Sequence, residues 1–210
     1  MNPKTLERYT IAGPAGALEV ALNVPPGGLA GLALVAHPHP AEGGTLDNKV
    51  AHTLARAFFA LGYAAIRFNF RGVGKSEGAF DQGEGETEDA LAALNHAKER
   101  FGEHPVALAG FSFGAFIASR VASQAKAERM VLVGPAVGRF ALAAVPGDTI
   151  VVHGEQDEIV PLADVLAWAR PQELPVIVFP GCGHFFHGRL PQLARVVTGA
   201  WHRHPAAPGA

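Results

Sequence analysis

Gly110-Phe111-Ser112-Phe113-Gly114 stands between an apolar run, Val106 to Ala109, and a segment of helical character, Ala115 to Ala125. Strand, sharp turn and helix in that order, with serine at the tip, form a nucleophile elbow. Such a turn needs residues almost free of side chain two places before and after the serine, and Gly110 and Gly114 stand there. It lifts the Ser112 hydroxyl clear of the sheet and aims the Phe113 N–H at any oxyanion formed there. Three fixed letters recur by chance in a chain with 25 glycines. The plain alternative is a glycine-flanked strand end packed on a helix, so the partners of Ser112 decide the reading.

Outward from the elbow, strands and helices alternate. Upstream, Arg8 to Ile11 and Ala17 to Val24 read as a hairpin at an antiparallel sheet edge, joined by Gly13-Pro14-Ala15-Gly16. Gly31 to Ala36 is a continuous apolar run, the pattern of a strand buried on both faces, and from it the sheet is expected to be parallel. His37-Pro38-His39-Pro40 and Gly43-Gly44 follow, then a helix from about Asp47 to Leu61 with Val50, Leu54, Ala57, Phe58 and Leu61 on one face. Ala64 to Phe70 is the next strand, and Glu86 to Phe101, acidic at its start and basic near its end, the next helix. Downstream of the elbow come strands at Met130 to Val133, Thr149 to His153 and Val176 to Phe179, and helices at Leu162 to Ala169 and Leu190 to Trp201. Gly134 to Gly147 is a short irregular link. The expected fold is α/β: a doubly wound, mostly parallel sheet of about eight strands with helices on both faces. One domain over residues 1–201 and a disordered tail from His202 to Ala210 complete the expectation.

Composition limits the partners. The 210 residues, 49% hydrophobic, suffice for one domain with a real core. A formal charge of −2 without a long block of one sign offers no footprint for nucleic acid or anionic lipid, so a small-molecule ligand is expected. Neither a signal-type N-terminus nor a bilayer-length apolar run is present, and the lone Cys182 fits a reducing compartment; the expectation is a cytoplasmic protein. Oligomeric state is not readable.

In an open α/β sheet the site forms at the carboxyl ends of the strands. Ser112 follows one strand, Asp157 a later one and His184 the last, giving the chain order serine, acid, histidine. His184 would take the Ser112 proton through one ring nitrogen, while Asp157 would accept from the other and fix the tautomer. Each has a competitor. Asp157 lies between Glu155 and Glu158, with Glu155 the reserve acid and a solvated acidic turn the plain alternative. His184 competes with His187, but Gly181 and Gly183 make the turn that presents His184. Cys182 reads as a small packed hydrophobe.

Two other motifs invite different chemistry. Gly74-Lys75-Ser76 ends like a phosphate-binding loop, yet Asn69 stands where the first glycine belongs and no helix opens after Ser76. Arg71 reads as a brace between loops. His37 and His39 are spaced like metal ligands, but no Cys or carboxylate at matching spacing joins them, and neither metal nor cofactor is expected. The backbone argument is better: Pro38 and Pro40 lack an N–H, so His39 supplies the amide that the loop after this strand contributes to an oxyanion hole, opposite Phe113.

From Gly31 to Trp201 these pieces resemble the α/β-hydrolase superfamily, and more narrowly its small capless bacterial members, similar to dienelactone hydrolases and simple carboxylesterases. The carrying motifs are His37-Pro38-His39-Pro40 with Gly43-Gly44-Thr45, Arg67 through Gly74, the elbow, His153-Gly154 through Asp157 to Pro161, and Gly183-His184-Phe185-Phe186. The resemblance implies Ser112 as nucleophile, Asp157 as acid, His184 as base and His39 with Phe113 as oxyanion donors. It departs from lipase-like members, which have His-Gly-Gly where this chain has His-Pro-His-Pro, and from dienelactone hydrolases in carrying serine at the elbow. A cap usually follows the strand here read as Met130 to Val133, and the link after it is too short for one. The expected function is hydrolysis of small acyl esters or thioesters through an acyl-enzyme; the alternative is a silent binding or scaffold protein on the same fold.

Overall fold

In a computed structural model, residues 6–202 are described. The strands are β1 (Leu6–Gly13), β2 (Gly16–Asn23), β3 (Gly31–Ala36), β4 (Tyr63–Phe68), β5 (Val106–Phe111), β6 (Arg129–Val133), β7 (Ile150–Gly154) and β8 (Val176–Phe179). The helices are α1 (Lys49–Ala60), α2 (Glu84–Phe101), α3 (Phe113–Ala125), α4 (Leu162–Ala169) and α5 (Leu190–His202). All eight strands form one sheet in the order β1-β2-β4-β3-β5-β6-β7-β8. β1 and β2 are the antiparallel edge, β2 pairs antiparallel with β4, and every pairing from β4 to β8 is parallel. Among the described residues no helix is long and apolar enough to cross a membrane.

β3 and β5 are apolar throughout because their two faces meet different helices. Leu32, Leu34, Ile66 and Leu108 enter one core with residues of α2 and α3. Ala33, Val35, Ala107, Ala109, Val131 and Val133 point the other way into a second core with α1 and α5. A smaller core gathers Val151, Val160, Val165 and Leu174 around α4.

The boundaries shift where side chains intervene. Helix α1 starts at Lys49 instead of Asp47, because the Asn48 carboxamide oxygen accepts from the N–H groups of Val50 and Ala51. α2 starts at Glu84 instead of Glu86: buried Glu86 turns its carboxylate back onto the N–H groups of Gly83 and Asp81. α3 starts at Phe113, so the elbow has no spacer between serine and helix. β4 ends at Phe68, since the next residue, Asn69, spends its side chain on Glu19 and on the Leu46 N–H. His202, expected in the tail, closes α5, and residues 203–210 of that tail lie outside the described residues.

Candidate active site

The elbow's glycines are required for space, not for unusual dihedrals. A Cβ on Gly110 would lie 2.1 Å from the Gly114 carbonyl oxygen, and one on Gly114 would lie 2.3 Å from that of Ala36. Neither glycine has positive φ; the strain falls on Ser112 itself, at φ 56° and ψ −117°. The demand for residues almost free of side chain on either side of the serine is thus one of space. The Ser112 N–H donates to the Val133 carbonyl, tying the tip to β6. Phe113 is the first residue of α3, so its own N–H has no intrahelical acceptor.

At the carboxyl ends of β7 and β8 the side chains of Asp157 and His184 meet. His184 Nδ1 donates to Asp157 Oδ2 at 2.7 Å, and both side chains are buried. Asp157 Oδ1 accepts from the N–H groups of Ile159 and Val160, at 2.9 and 2.8 Å. Burial by itself would raise the Asp157 carboxyl; the His184 and Val160 hydrogen bonds and the neighbouring imidazoles outweigh it and hold the group below the ordinary carboxylate range. Glu155 is engaged elsewhere, accepting from the Gly181 N–H, and His187 is exposed beside Phe185. Cys182 is packed with the α1 and α5 core, and burial pushes its thiol up.

Ser112, His184, Pro38 and His39 line one hollow of about 150 Å³, completed by Glu42, Gly43, Gly44, Asn48, Ile159 and Phe185. Among the described residues the Ser112 hydroxyl and the His184 ring share this hollow without a hydrogen bond between them. A larger groove, about 650 Å³ between α1 and α5, holds none of the sequence-derived candidates.

The His-Pro-His-Pro loop contains a device that the sequence did not disclose. Buried His37 donates from Nδ1 to the Pro38 carbonyl at 2.7 Å, and its Nε2 accepts from the Phe70 N–H at 3.1 Å. Only a neutral ring with the proton on Nδ1 makes both bonds. In a trans peptide C=O and N–H point opposite ways, so the bond to Pro38 leaves the His39 amide facing away from His37. That N–H has no acceptor among the described residues, whereas the His39 carbonyl takes the N–H groups of Glu42 and Gly44. The His39 ring packs in an aromatic group with Phe80, Phe113 and Phe140.

Behind this loop, Arg67 Nη1 donates to the Leu46 carbonyl and Asn69 Oδ1 accepts from the Leu46 N–H. Arg71 forks onto buried Asp89 of α2, with Nη2 to Oδ1 at 2.9 Å and Nε to Oδ2 at 3.1 Å. The near-match to a phosphate loop is filled from within: Glu19 accepts from the Lys75 N–H, and Ser76 bridges Glu19 N–H and the Asn69 carbonyl. Among the described residues no group of three or more His, Cys, Asp or Glu side chains is placed to hold a metal ion.

Residues 43–146 match the family model described as serine aminopeptidase, S33. An α/β serine hydrolase homologue from Coxiella burnetii is 40% identical, with 92% of this chain and 96% of that one covered and a TM-score of 0.83. An α/β serine hydrolase without a lid from Xanthomonas campestris is 35% identical over 99% of each chain, with a TM-score of 0.89. An uncharacterized protein of Rickettsia prowazekii is 31% identical over 204 residues, 89% of this chain and 84% of that one. With the eight-stranded sheet and no cap between β6 and β7, these likenesses show that the chain belongs to the α/β-hydrolase superfamily, as a capless serine hydrolase.

Proposed function

We propose that this hydrolase cleaves small acyl esters or thioesters, with Ser112 as nucleophile, His184 as general base and acid, and Asp157 as the carboxylate that orients it. The observation that carries the proposal is the 2.7 Å Asp157–His184 bond beside a hollow that also contains Ser112. With Nδ1 committed to Asp157, Nε2 is the nitrogen left to take the Ser112 proton as Oγ attacks the acyl carbon. The oxyanion forms against the His39 and Phe113 amides. Collapse expels the alkoxide or thiolate, which takes the proton from His184; water then repeats the sequence and releases the acid. No cofactor enters this scheme. A hollow of about 150 Å³ with no cap over it suits a short acyl group and leaves the leaving group in solvent.

A fluorophosphonate probe tests the reading. Wild type is expected to label and Ser112→Ala not to, with turnover of short-chain esters and thioesters lost alongside the label. Absence of labelling in folded wild type would favour a silent binding protein on this fold.

A further inference from the structure

The acid turn contains a second imidazole that the scheme above does not use. His153, one residue before the end of β7, is fully buried. Its Nε2 lies 2.9 Å from the Val160 carbonyl oxygen and 3.4 Å from Asp157 Oδ2, while its Nδ1 is buried with no partner. This decides where the proton sits. On Nε2 it faces the Val160 carbonyl oxygen, with Asp157 Oδ2 nearby; on Nδ1 it would face no acceptor, and the bare Nε2 lone pair would be set against the carbonyl oxygen. A doubly protonated ring would bury an N–H without an acceptor, and burial also holds His153 below the ordinary imidazole range. The ring is therefore a neutral Nε2–H donor.

We propose that His153 is the positioning residue of the acid: its Nε2–H closes the turn onto the Val160 carbonyl with Asp157 Oδ2 3.4 Å away, so that the carboxylate keeps a fixed orientation toward His184. The inference rests on the Ser112, His184 and Asp157 reading. Val160 is the hinge of the arrangement. Its N–H is held by Asp157 Oδ1 and its C=O by His153, so acid and clamp grip the same residue from opposite ends of the turn. Without the clamp the Val160 amide can move, and the carboxylate that depends on it loses its direction. His153 is not among the residues lining the hollow around Ser112, so its removal is expected to act on turnover and to spare substrate binding.

The test is a double-mutant cycle on the full chain with p-nitrophenyl acetate as substrate and Ser112→Ala measured beside it. His153→Phe keeps an aromatic ring and removes the donor; kcat is expected to fall about 10–100-fold with KM nearly unchanged. His153→Gln can return an N–H near the Nε2 position and is expected to recover most of that loss. In an Asp157→Asn background, His153→Phe is expected to cost less than about 2-fold more, because the group it acts through is already neutralised. Wild-type kcat in His153→Phe, or the same fold loss in both backgrounds, overturns the proposal. Should His153→Phe fail to fold, His153→Gln and nitrogen-15 NMR of wild type carry the test: a proton on Nε2 supports the clamp and a proton on Nδ1 overturns it. Turnover retained in Ser112→Ala would instead sink the serine hydrolase reading, a result separable from any outcome at His153.

Discussion

The two amides proposed for the oxyanion hole are held in opposite ways. Phe113 takes its position from close backbone packing: β5 runs into Ser112, α3 begins at the next residue, and Gly110 and Gly114 let the elbow close on itself and on Ala36 of β3. His39 sits in a loop whose shape depends on remote side chains, with His37 on the Pro38 carbonyl, the Phe70 amide on His37, and Arg67 and Asn69 on Leu46. One donor is fixed by backbone sterics, the other by hydrogen bonds between segments far apart in sequence. The elbow is therefore expected to be most sensitive to changes in its own residues, and the loop to respond to substitutions and conditions acting elsewhere.

The largest effects set the scale for that comparison. Ser112→Ala and His184→Ala are each expected to cut kcat by about 10⁶-fold, and the double variant to cost little more, because the two act as one unit. Clearly additive losses in the cycle would argue for another mechanism. Next in size is the loop donor. His39 has φ −53°, which a proline ring accepts, so His39→Pro deletes the N–H with little demand on the local backbone. An expected fall in kcat of about 10²–10³-fold, roughly 2.7–4 kcal/mol, follows from losing one preorganised donor. His39→Ala keeps the amide and is expected to retain most of the turnover. Equal behaviour of the two variants, with serine labelling and thermal stability near wild type, would remove His39 from the oxyanion hole.

The same contrast explains what was legible in the sequence. The strand runs, the elbow and the order of Ser112, Asp157 and His184 were readable because local pattern and the topology it implies fix them. The hairpin edge and the parallel run from β3 onward follow from that reading. The pins were not readable. His37 could be seen as half of a metal motif and His153 only as part of a familiar stretch, because their partners, Phe70 and the Val160 carbonyl, are defined only once the loops are folded. The preference for His184 over His187 rested on Gly181 and Gly183, and the Asp157 bond now gives it a geometric ground. The elbow asks for glycines at Gly110 and Gly114 from pattern alone, and the backbone atoms that crowd them, the carbonyls of Gly114 and Ala36, are identified only in the fold.

Acid separates the two regions at about the next size of effect. Burial holds the His37 ring down to about 4, against about 6.5 in the unfolded chain. Between those values the unfolded chain binds the extra proton and the folded one does not, so stability falls as pH drops from about 6.5 to 4. His37 alone contributes about 3 kcal/mol across that window. His153, also held down by burial, adds in the same direction, whereas Asp157, whose carboxyl is depressed, acts only at lower pH. Urea midpoints at pH 7.5, 6 and 5 are expected to decline less steeply in His37→Phe than in wild type, even though that variant starts less stable. An unchanged slope would place the acid sensitivity outside this loop.

The smallest effect tests whether the loop is also held from above. Arg139, in the segment between β6 and β7 where a cap would stand, forks onto Glu42 just after His39, at 2.5 and 3.4 Å. Both partners are exposed, and burial of either charge is slight, so solvent screens the attraction and two long side chains lose rotamer freedom to make it. Arg139→Ala is expected to lower stability by no more than about 1 kcal/mol, less still in high salt, and to leave kcat near wild type. The buried bonds beneath the loop make the difference: His37, Arg67 and Asn69 hold the Pro38 and Leu46 backbone groups where water does not compete. A kcat loss in Arg139→Ala approaching that of His39→Pro would reverse this account, because it would mean that an exposed ion pair, not the buried imidazole, aims the amide.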